Sequence, residues 1–599
     1  MSSFRSFLYD TRGRMITTTR VINVLASLSA FMLIIYEIGF PMNVVRLEGI
    51  QFGFDIIFGL FAASYFVRLF YSFERWKLIK ATWFEFLLML LIIVIGIANL
   101  IQDGNVFEMW FQSWDVGKYQ EIYTGFITLY MAYLIGFQFV KASSYLTFLT
   151  IKPATTFIFS FILLIFVGAG FLMLPEMTTA KGGAPFLEAF FTSTSASCVT
   201  GLIVVDTATY WSFKGHLVLM FLMQLGGIGI VSFATFFTTF LKSGVGIKQQ
   251  RIIQDFLLSE SLHSARGLLR QVIHITVFIE AIAAVLIFFT WGGGVQFDGL
   301  GEKIFYSIFH AVSAFCNAGF SLFSNGLNES ALQGSQILHV VIALTIILGG
   351  LGFSTIQDVF SPKALRERLD KPWKEWKLST KIAIHTSVVL TILGMLVYVL
   401  VERDNPKTVG GMGNFETMVS AFFQSVTTRT AGFNTIDFGD LKQPTLLFFI
   451  FLMFIGASSG STGGGIKTST FLLISISSFA MIRGKQQVDL GKRTISPELI
   501  SKAMSILAFA IFYNFFMIFL LTLTDPDIDF VHIAFEEVSA FATVGLSTGI
   551  TADLSLSGKS LIILTMFIGR IGTLTLLLAL SSRVVTTDYK YPNAHLMVG

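Results

Sequence analysis

Four short segments of the chain carry one pattern: FTSTSASCVTGL (Phe191 to Leu202), FHAVSAFCNAGF (Phe309 to Phe320), FFQSVTTRTAGF (Phe422 to Phe433) and FEEVSAFATVGL (Phe535 to Leu546). Each starts on Phe, has Gly ten residues later and ends on Leu or Phe; the glycines Gly201, Gly319, Gly432 and Gly545 are 118, 113 and 113 residues apart. The chemistry open to such segments is that of the backbone. Gly adopts backbone angles closed to other residues and puts no side chain in the way, so carbonyl oxygens can be turned toward one point. Four equivalent loops about one axis would make a ring of carbonyls that replaces the hydration shell of a monovalent cation. The candidate ion-binding residues are the quartets ending on each glycine: Cys198, Val199, Thr200 and Gly201; Cys316, Asn317, Ala318 and Gly319; Arg429, Thr430, Ala431 and Gly432; Ala542, Thr543, Val544 and Gly545. One such Gly would pass for an ordinary turn residue. Four aligned copies argue against that reading.

Composition tells which elements must hold these loops. Of 599 residues 54% are hydrophobic and 13% charged, with a mean hydropathy of +0.73. A soluble domain carries about 25% charged residues, so the chain reads as an all-α integral membrane protein. About twelve spans are expected. Four lie before the repeats, near 18–40, 50–72, 82–101 and 121–141. Eight flank the loops in pairs, near 155–177 and 215–241, 271–291 and 336–360, 379–401 and 444–480, 500–524 and 559–581. Stretches such as Phe309 to Phe315 and Phe535 to Phe541 read as short pore helices. The irregular backbone after them would be too costly in lipid and must line a cavity. The expected divisions are an N-terminal four-helix bundle (1–150) and four helix–loop–helix modules (151–250, 251–362, 363–493 and 494–599, the last with a cytosolic C-terminus).

Lys and Arg in the connections set the orientation. Arg5, Arg12, Arg14 and Arg20, then Arg75, Lys77 and Lys80, then seven cations from Lys363 to Lys381, then Arg483, Lys485, Lys492 and Arg493 all fall on one side if every span crosses once. Both termini are then cytoplasmic, and the loops dip in from outside. The first apolar run follows arginines and is long enough to span, so it reads as an anchor and not as a cleaved leader.

Other classes fit less well. The net charge of +4 gives no reason to expect nucleic-acid binding. His310, His385 and His532 are scattered without a metal-ligand or catalytic spacing. With two Cys there is no disulfide framework or zinc site. An alternating-access transporter would show inverted repeats, whereas these share one orientation. No phosphate-binding loop is present, so no nucleotide cofactor is expected on this chain.

The span near 444–480 is too long for one crossing. It contains Ala457, Ser458, Ser459, Gly460, Ser461, Thr462, Gly463, Gly464 and Gly465, followed by Lys467. That composition frays a helix and lets hydroxyls satisfy backbone groups. In the last span stands Arg570, and an ionisable residue in a span faces a pathway or a partner. In the first 150 residues, Asp55, Arg68, Glu74 and Glu85 are placed to make an internal charge network. The span 121–141 has no cation before Lys141, so the bundle looks like a voltage-sensor domain without gating charges, suited to packing, dimerisation or assembly.

The sequences CVTGL, CNAGF, RTAGF and ATVGL resemble the four filter segments of the Trk/Ktr/HKT superfamily of cation-translocating subunits. GASSGSTGGGIKTST at 456–470, FIGRIGTLTL at 567–576 and the terminal YPNAHLMVG also resemble its motifs, in the same order, over residues 150–599. The resemblance implies potassium uptake through a selective pore in the cell inner membrane, with sodium as a coupling or gating ion or, in the alternative, as a permeant one. It implies a gate in which the segment 457–465, with Lys467 and Arg570, lies across the pore beneath the filter. It also implies a homodimer in membrane lipid on a cytosolic ring of RCK-type nucleotide-binding regulatory subunits. In the plant branch of this superfamily, glycine at all four positions goes with potassium and Ser at the first goes with sodium, so the resemblance favours potassium here. Cys198 and Cys316 read as pore-helix packing, with redox or heavy-metal sensitivity the lesser alternative.

Overall fold

The computed structural model describes residues 2–83, 85–87, 89–90, 153–240, 265–491 and 493–572. The chain divides into two compact units, residues 1–150 with 174–176, and residues 151–173 with 177–599. The expected span 121–141 and the terminal YPNAHLMVG lie outside the described residues, as does most of 82–101.

The larger unit repeats one arrangement four times: a first helix, a short helix, the glycine loop, and a second helix. In module 1 these helices are Pro153–Leu172, Phe186–Cys198 and Phe213–Phe240. In module 2 they are Ala265–Thr290, Leu300–Cys316 and Gln336–Leu351. Module 3 has Leu378–Glu402, Asn414–Thr427 and a second helix in two pieces, Gln443–Phe454 and Thr468–Ile482. Module 4 has Pro497–Thr524, Phe530–Phe541 and Leu556–Ile571. The only strands among the described residues are a two-stranded antiparallel turn, Asp489–Leu490 with Arg493–Thr494.

Helix is the form that satisfies every backbone group without water, and these segments bury their short helices while showing apolar faces outward. Eight consecutive residues of the second short helix, Phe309 to Cys316, illustrate the inner environment: all are buried. On the outside, Phe512, Phe515, Phe516 and Phe519 of the Pro497–Thr524 helix are exposed, as suits a lipid-facing surface. Five described helices are long and apolar enough to cross a membrane, or six if a bent pair counts as one span.

That bent pair departs from the expected single span at 336–360. The helix stops at Leu351, turns by 104° at Gly352 and resumes as Phe353–Phe360. Gly352 has φ 88° and ψ 145°, and Gly572, which ends the last helix, has φ 83° and ψ 141°. Only glycine reaches such angles without strain. Hydropathy runs unbroken through both sites, so the breaks are invisible to it.

Two buried carboxylates tie the helix ends together. Glu402, at the end of module 3's first helix, accepts from Lys442 N–H (3.0 Å) and Thr445 Oγ1 (2.5 Å) at the start of the second. Asp525 does the same in module 4, accepting from Ser555 N–H at 2.6 Å. Both satisfy orphan N–H or hydroxyl groups at a helix start.

In the smaller unit, helices Ser2–Gly39 and Val44–Phe70 pack through Ala26, Ala30, Phe54, Phe58, Phe61 and Tyr65. Of the four residues expected to form a charge network, Arg68 pairs with Glu85 at 2.7 Å. Glu74 pairs instead with exposed Lys77, and Asp55 lies on the exposed surface of the unit.

Candidate functional site: a closed ring of glycine loops

Each loop leaves its short helix by the same backbone path. The residue two before each glycine is left-handed: Val199 (φ 57°), Asn317 (59°), Thr430 (70°) and Thr543 (50°). These are the only non-glycine residues with positive φ among the described residues. The glycines follow suit, Gly201 at 96°, Gly319 at 71°, Gly432 at 79° and Gly545 at 89°. A β-branched residue with positive φ is strained, and such strain persists only where the surroundings enforce it.

A hydroxyl on each short helix does the enforcing. Gly201 N–H donates to Ser195 Oγ (3.0 Å) and Gly545 N–H to Ser539 Oγ (3.1 Å). In the other two loops the hydroxyl is the donor: Ser313 Oγ to the Phe320 carbonyl (2.8 Å) and Thr427 Oγ1 to that of Phe433 (2.6 Å).

The four loops close on one another. A Cβ on Gly201 would lie 2.5 Å from the Ala318 carbonyl oxygen, one on Gly319 2.9 Å from that of Ala431, and one on Gly432 2.5 Å from that of Val544. A Cβ on Gly545 would collide with the Thr200 carbonyl oxygen. Each glycine thus abuts the carbonyl just before the glycine of the next module, and the fourth returns to the first. Helix packing repeats this order. The second helix of each module packs on the short helix of the next, with Leu556–Ile571 of module 4 against Phe186–Cys198 of module 1.

The ring has two different faces. On one, all four glycines border a cavity of about 380 Å³ whose wall includes Asp206 and Asp437. Glu536, buried in the fourth short helix, holds that wall through Ser547 Oγ (2.8 Å) and Thr551 Oγ1. Glu537 beside it is fully buried, and neither of its carboxylate oxygens has a hydrogen-bond partner among the described residues.

On the other face lies the segment between Phe454 and Thr468. Gly464 N–H donates to Thr543 Oγ1 (3.0 Å), and a Cβ on Gly463 would collide with Thr430 Oγ1. The segment touches the left-handed residues of two loops. Its own hydroxyls satisfy little of its backbone, contrary to expectation. Ser458 N–H goes to the Gly350 carbonyl (3.0 Å) and Thr462 N–H to that of Gly349 (3.4 Å), while Gly460 O accepts from Phe353 N–H (3.1 Å) beyond the Gly352 break. Lys467 Nζ donates to Gly463 O at 2.6 Å. Arg570, 1% exposed, donates to the carbonyls of Thr462 in this segment and Gly226 in module 1's second helix. A guanidinium presents its donors in a rigid fork, so one side chain joins three modules here.

The structure brings together every glycine and every left-handed residue of the four quartets. Two of their first members make side-chain contacts to surrounding helices. Arg429 donates to Ser387 Oγ (2.9 Å) and to the Ser387 carbonyl (3.2 Å) on its module's first helix. Cys316 Sγ faces Gln224 Oε1 at 3.6 Å, and both cysteines are buried.

A second repeat escaped the sequence reading. Gly226, Gly349 and Gly569 stand where a Cβ would collide with the carbonyls of Ser197, Phe315 and Phe541, each four residues before a ring glycine. The motifs LGGIG, LGGLG and IGRIG carry them. Aligning the second helices would have found the pattern, and would have shown that Arg570 takes the place of Gly227 and Gly350.

The chain is similar to known proteins over the same region. The profile of the TrkH family, described as cation transport protein, matches residues 124–585. The Ktr system potassium uptake protein B of Bacillus subtilis (strain 168) is 37% identical over 75% of this chain and 97% of its own length. The potassium/sodium uptake protein NtpJ of Enterococcus hirae is 34% identical over 75% of this chain and 98% of its own. Among solved structures, the potassium transporter TrkH of Vibrio parahaemolyticus shares the fold, with a TM-score of 0.54 and 18% identity over 71% of this chain and 83% of its own. These are transport proteins and not enzymes. A ring closed by four repeated loops, inside helices that pack in the same cyclic order, therefore belongs to a chain that is a member of the TrkH family of cation transport proteins.

Proposed function

We propose that the chain takes up potassium through the ring of Gly201, Gly319, Gly432 and Gly545, which acts as a selectivity filter, and that the segment 457–465 with Lys467 and Arg570 is its gate. The observation that carries this reading is the closure of four loops with paired left-handed residues at identical positions. Alternating left-handed and ordinary backbone turns successive carbonyls to one side, and such carbonyls replace the water lost by a dehydrating cation. The strain stored at Val199, Asn317, Thr430 and Thr543 is balanced by hydroxyl braces, so the ring is organised before the ion arrives.

The gate follows from the second face. Backbone of 457–465 lies against the ring, and the Arg570 guanidinium places a positive charge beside a cation path. Flux requires that the segment move, and moving it breaks the hydrogen bond from Arg570 to Thr462 O. A cytosolic ring of RCK-type nucleotide-binding subunits would supply that work in a homodimeric assembly, with both termini and the basic connections on the cytoplasmic side. The Bacillus subtilis relative carries a name that makes it part of a Ktr system. Sodium is the competing cargo, since the Enterococcus hirae relative is named for both ions.

Potassium uptake by transport-deficient cells expressing the chain, with and without a regulatory ring subunit, tests the function. Reversal potentials in mixed sodium and potassium for Gly201→Ser test the filter. The preference for potassium should fall in that variant; an unchanged ratio with normal expression would remove Gly201 from the ion path.

A further inference from the structure

The connection 361–377 between modules 2 and 3 combines exposed large apolar side chains with exposed cations. It follows the bent pair that ends at Phe360 and directly precedes the candidate span Leu378–Glu402, which in the topology proposed above puts it at one membrane surface. Its helix Pro362–Asp370 starts on a Ser361 cap, whose Oγ accepts from Ala364 N–H at 3.2 Å. Leu365 and Leu369 lie four residues apart on one side of that helix. Leu369 is 82% exposed and Trp373 78%, and Leu365 and Trp376 are exposed beside them. Elsewhere in the larger unit, large exposed apolar side chains fall mainly on spans that face lipid. Here they sit in a segment that is far too polar to span.

Cations surround those side chains. Some are already engaged: Arg368 with Asp358 at 3.0 Å, Lys374 with Glu367, and Lys381 with Glu375. Lys363, Arg366 and Lys371 are exposed and make no ion pair among the described residues. Lys374 bonds Glu367 and, with Lys363 and Lys371 flanking that residue, lowers its carboxyl pKa, yet the segment keeps more cations than carboxylates. Exposed Leu and Trp beside such exposed Lys and Arg is the pattern of a helix lying in the membrane interface. Anionic headgroups attract such cations, and the attraction is screened by salt.

We propose that the segment 361–377 lies in the membrane surface and binds anionic phospholipid headgroups through Lys363, Arg366 and Lys371, with Leu365, Leu369 and Trp373 inserted beneath them. Docking there holds the helix Phe353–Phe360 in place. Phe353 N–H donates to Gly460 O at 3.1 Å, so the same anchor steadies one wall of the segment 457–465. That the surface is the cytoplasmic one rests on the orientation proposed above; lipid binding itself does not.

The test uses the full chain with Leu369→Cys, since both native cysteines are buried. An environment-sensitive fluorophore on that residue is read in vesicles of zwitterionic lipid, and in vesicles with about 30 mol% phosphatidylglycerol, each containing a doxyl-lipid quencher. Quenching should rise by about twofold with anionic lipid and fall back in about 1 M salt. The triple variant Lys363→Gln, Arg366→Gln, Lys371→Gln should lose the anionic increment while keeping its uptake in zwitterionic vesicles. Lys371→Gln alone, a milder change, should lose part of it. A label that stays in water in both vesicles, or quenching equal in both, would overturn the proposal. So would a label shielded only after a cytosolic protein is added, which would make the surface a protein-docking site. Labelling of intact cells with an impermeant thiol reagent reports the side separately. Reaction from outside would refute the orientation and leave the lipid contact standing.

Discussion

The glycine loop occurs four times in this chain, and the segment lying against it occurs once. The four loops share backbone angles, a hydroxyl brace and a neighbour in cyclic order. The segment 457–465 breaks only the second helix of module 3, and its hydrogen bonds run to modules 2 and 4. Under the function proposed above, a filter ring must present equal ligands from all sides and is held to symmetry, because one misplaced loop misplaces its two neighbours. The segment, under the same proposal, acts as a barrier. A barrier needs no such symmetry. It needs backbone that has two positions and few side chains to drag between them, and three consecutive glycines provide that.

The sharpest way to break this contrast is to ask whether the four ring glycines are equivalent. Gly201→Ala, Gly319→Ala, Gly432→Ala and Gly545→Ala each add a Cβ against a neighbouring carbonyl at positive φ. Left-handed strain of about 1–2 kcal/mol and overpacking of about 1–3 kcal/mol should together lower uptake roughly a hundredfold at every position. Uptake normalised to membrane protein level is the measurement. One position that tolerates Ala would end the claim of a closed, equivalent ring.

The unique segment should respond in the opposite direction. Deleting Gly463 to Gly465, or replacing Arg570 with Ala, should raise basal uptake by about tenfold and weaken its dependence on a regulatory partner, since a charge-assisted hydrogen bond is worth about 1.5–3 kcal/mol. Arg570→Lys should behave like Ala, because one ammonium cannot bridge Thr462 and Gly226 as a fork does. Lower uptake with intact folding would make the segment a structural strut.

A third set of changes separates scaffold from path. Gly226→Val and Gly349→Val each press a side chain on the carbonyl four residues before a ring glycine. Loss of about 1–3 kcal/mol of stability is expected, with ion preference kept in whatever protein folds. Thermal unfolding in detergent and reversal potentials would be read together. Altered preference without lost stability would move these glycines into the ion path.

The smallest effect is expected from the smaller unit. Removing residues 1–151 should leave ion preference unchanged and alter the current–voltage relation little. One charge moved through the field is worth about 2.3 kcal/mol per 100 mV, and steep gating needs many. A steep voltage-dependent opening lost on truncation would restore this unit as a sensor.

Much of the site was legible in the residues. Phe191, Phe309, Phe422 and Phe535, each ten before a glycine, made the ring visible because the requirement is local and repeated. The break at 455–467 was legible because Gly and Ser interrupt a long apolar run. The break at Gly352 was not, since LGGLGFST stays apolar while the helix turns. The contacts of Gly226, Gly349 and Gly569 were missed for a related reason. They consist of an absent side chain, and its use depends on which carbonyl lies opposite.

By itself, then, the sequence determined the membrane class, the fourfold module and the residues with backbone chemistry to offer, because each rests on composition or spacing within a few dozen residues. Only the tertiary structure decided that module 4 closes on module 1, that Glu402 and Asp525 tie helix ends and that Arg570 reaches both Thr462 and Gly226. Arg570 and Gly226 alone are 344 positions apart, and no local preference encodes which distant carbonyl a guanidinium will meet.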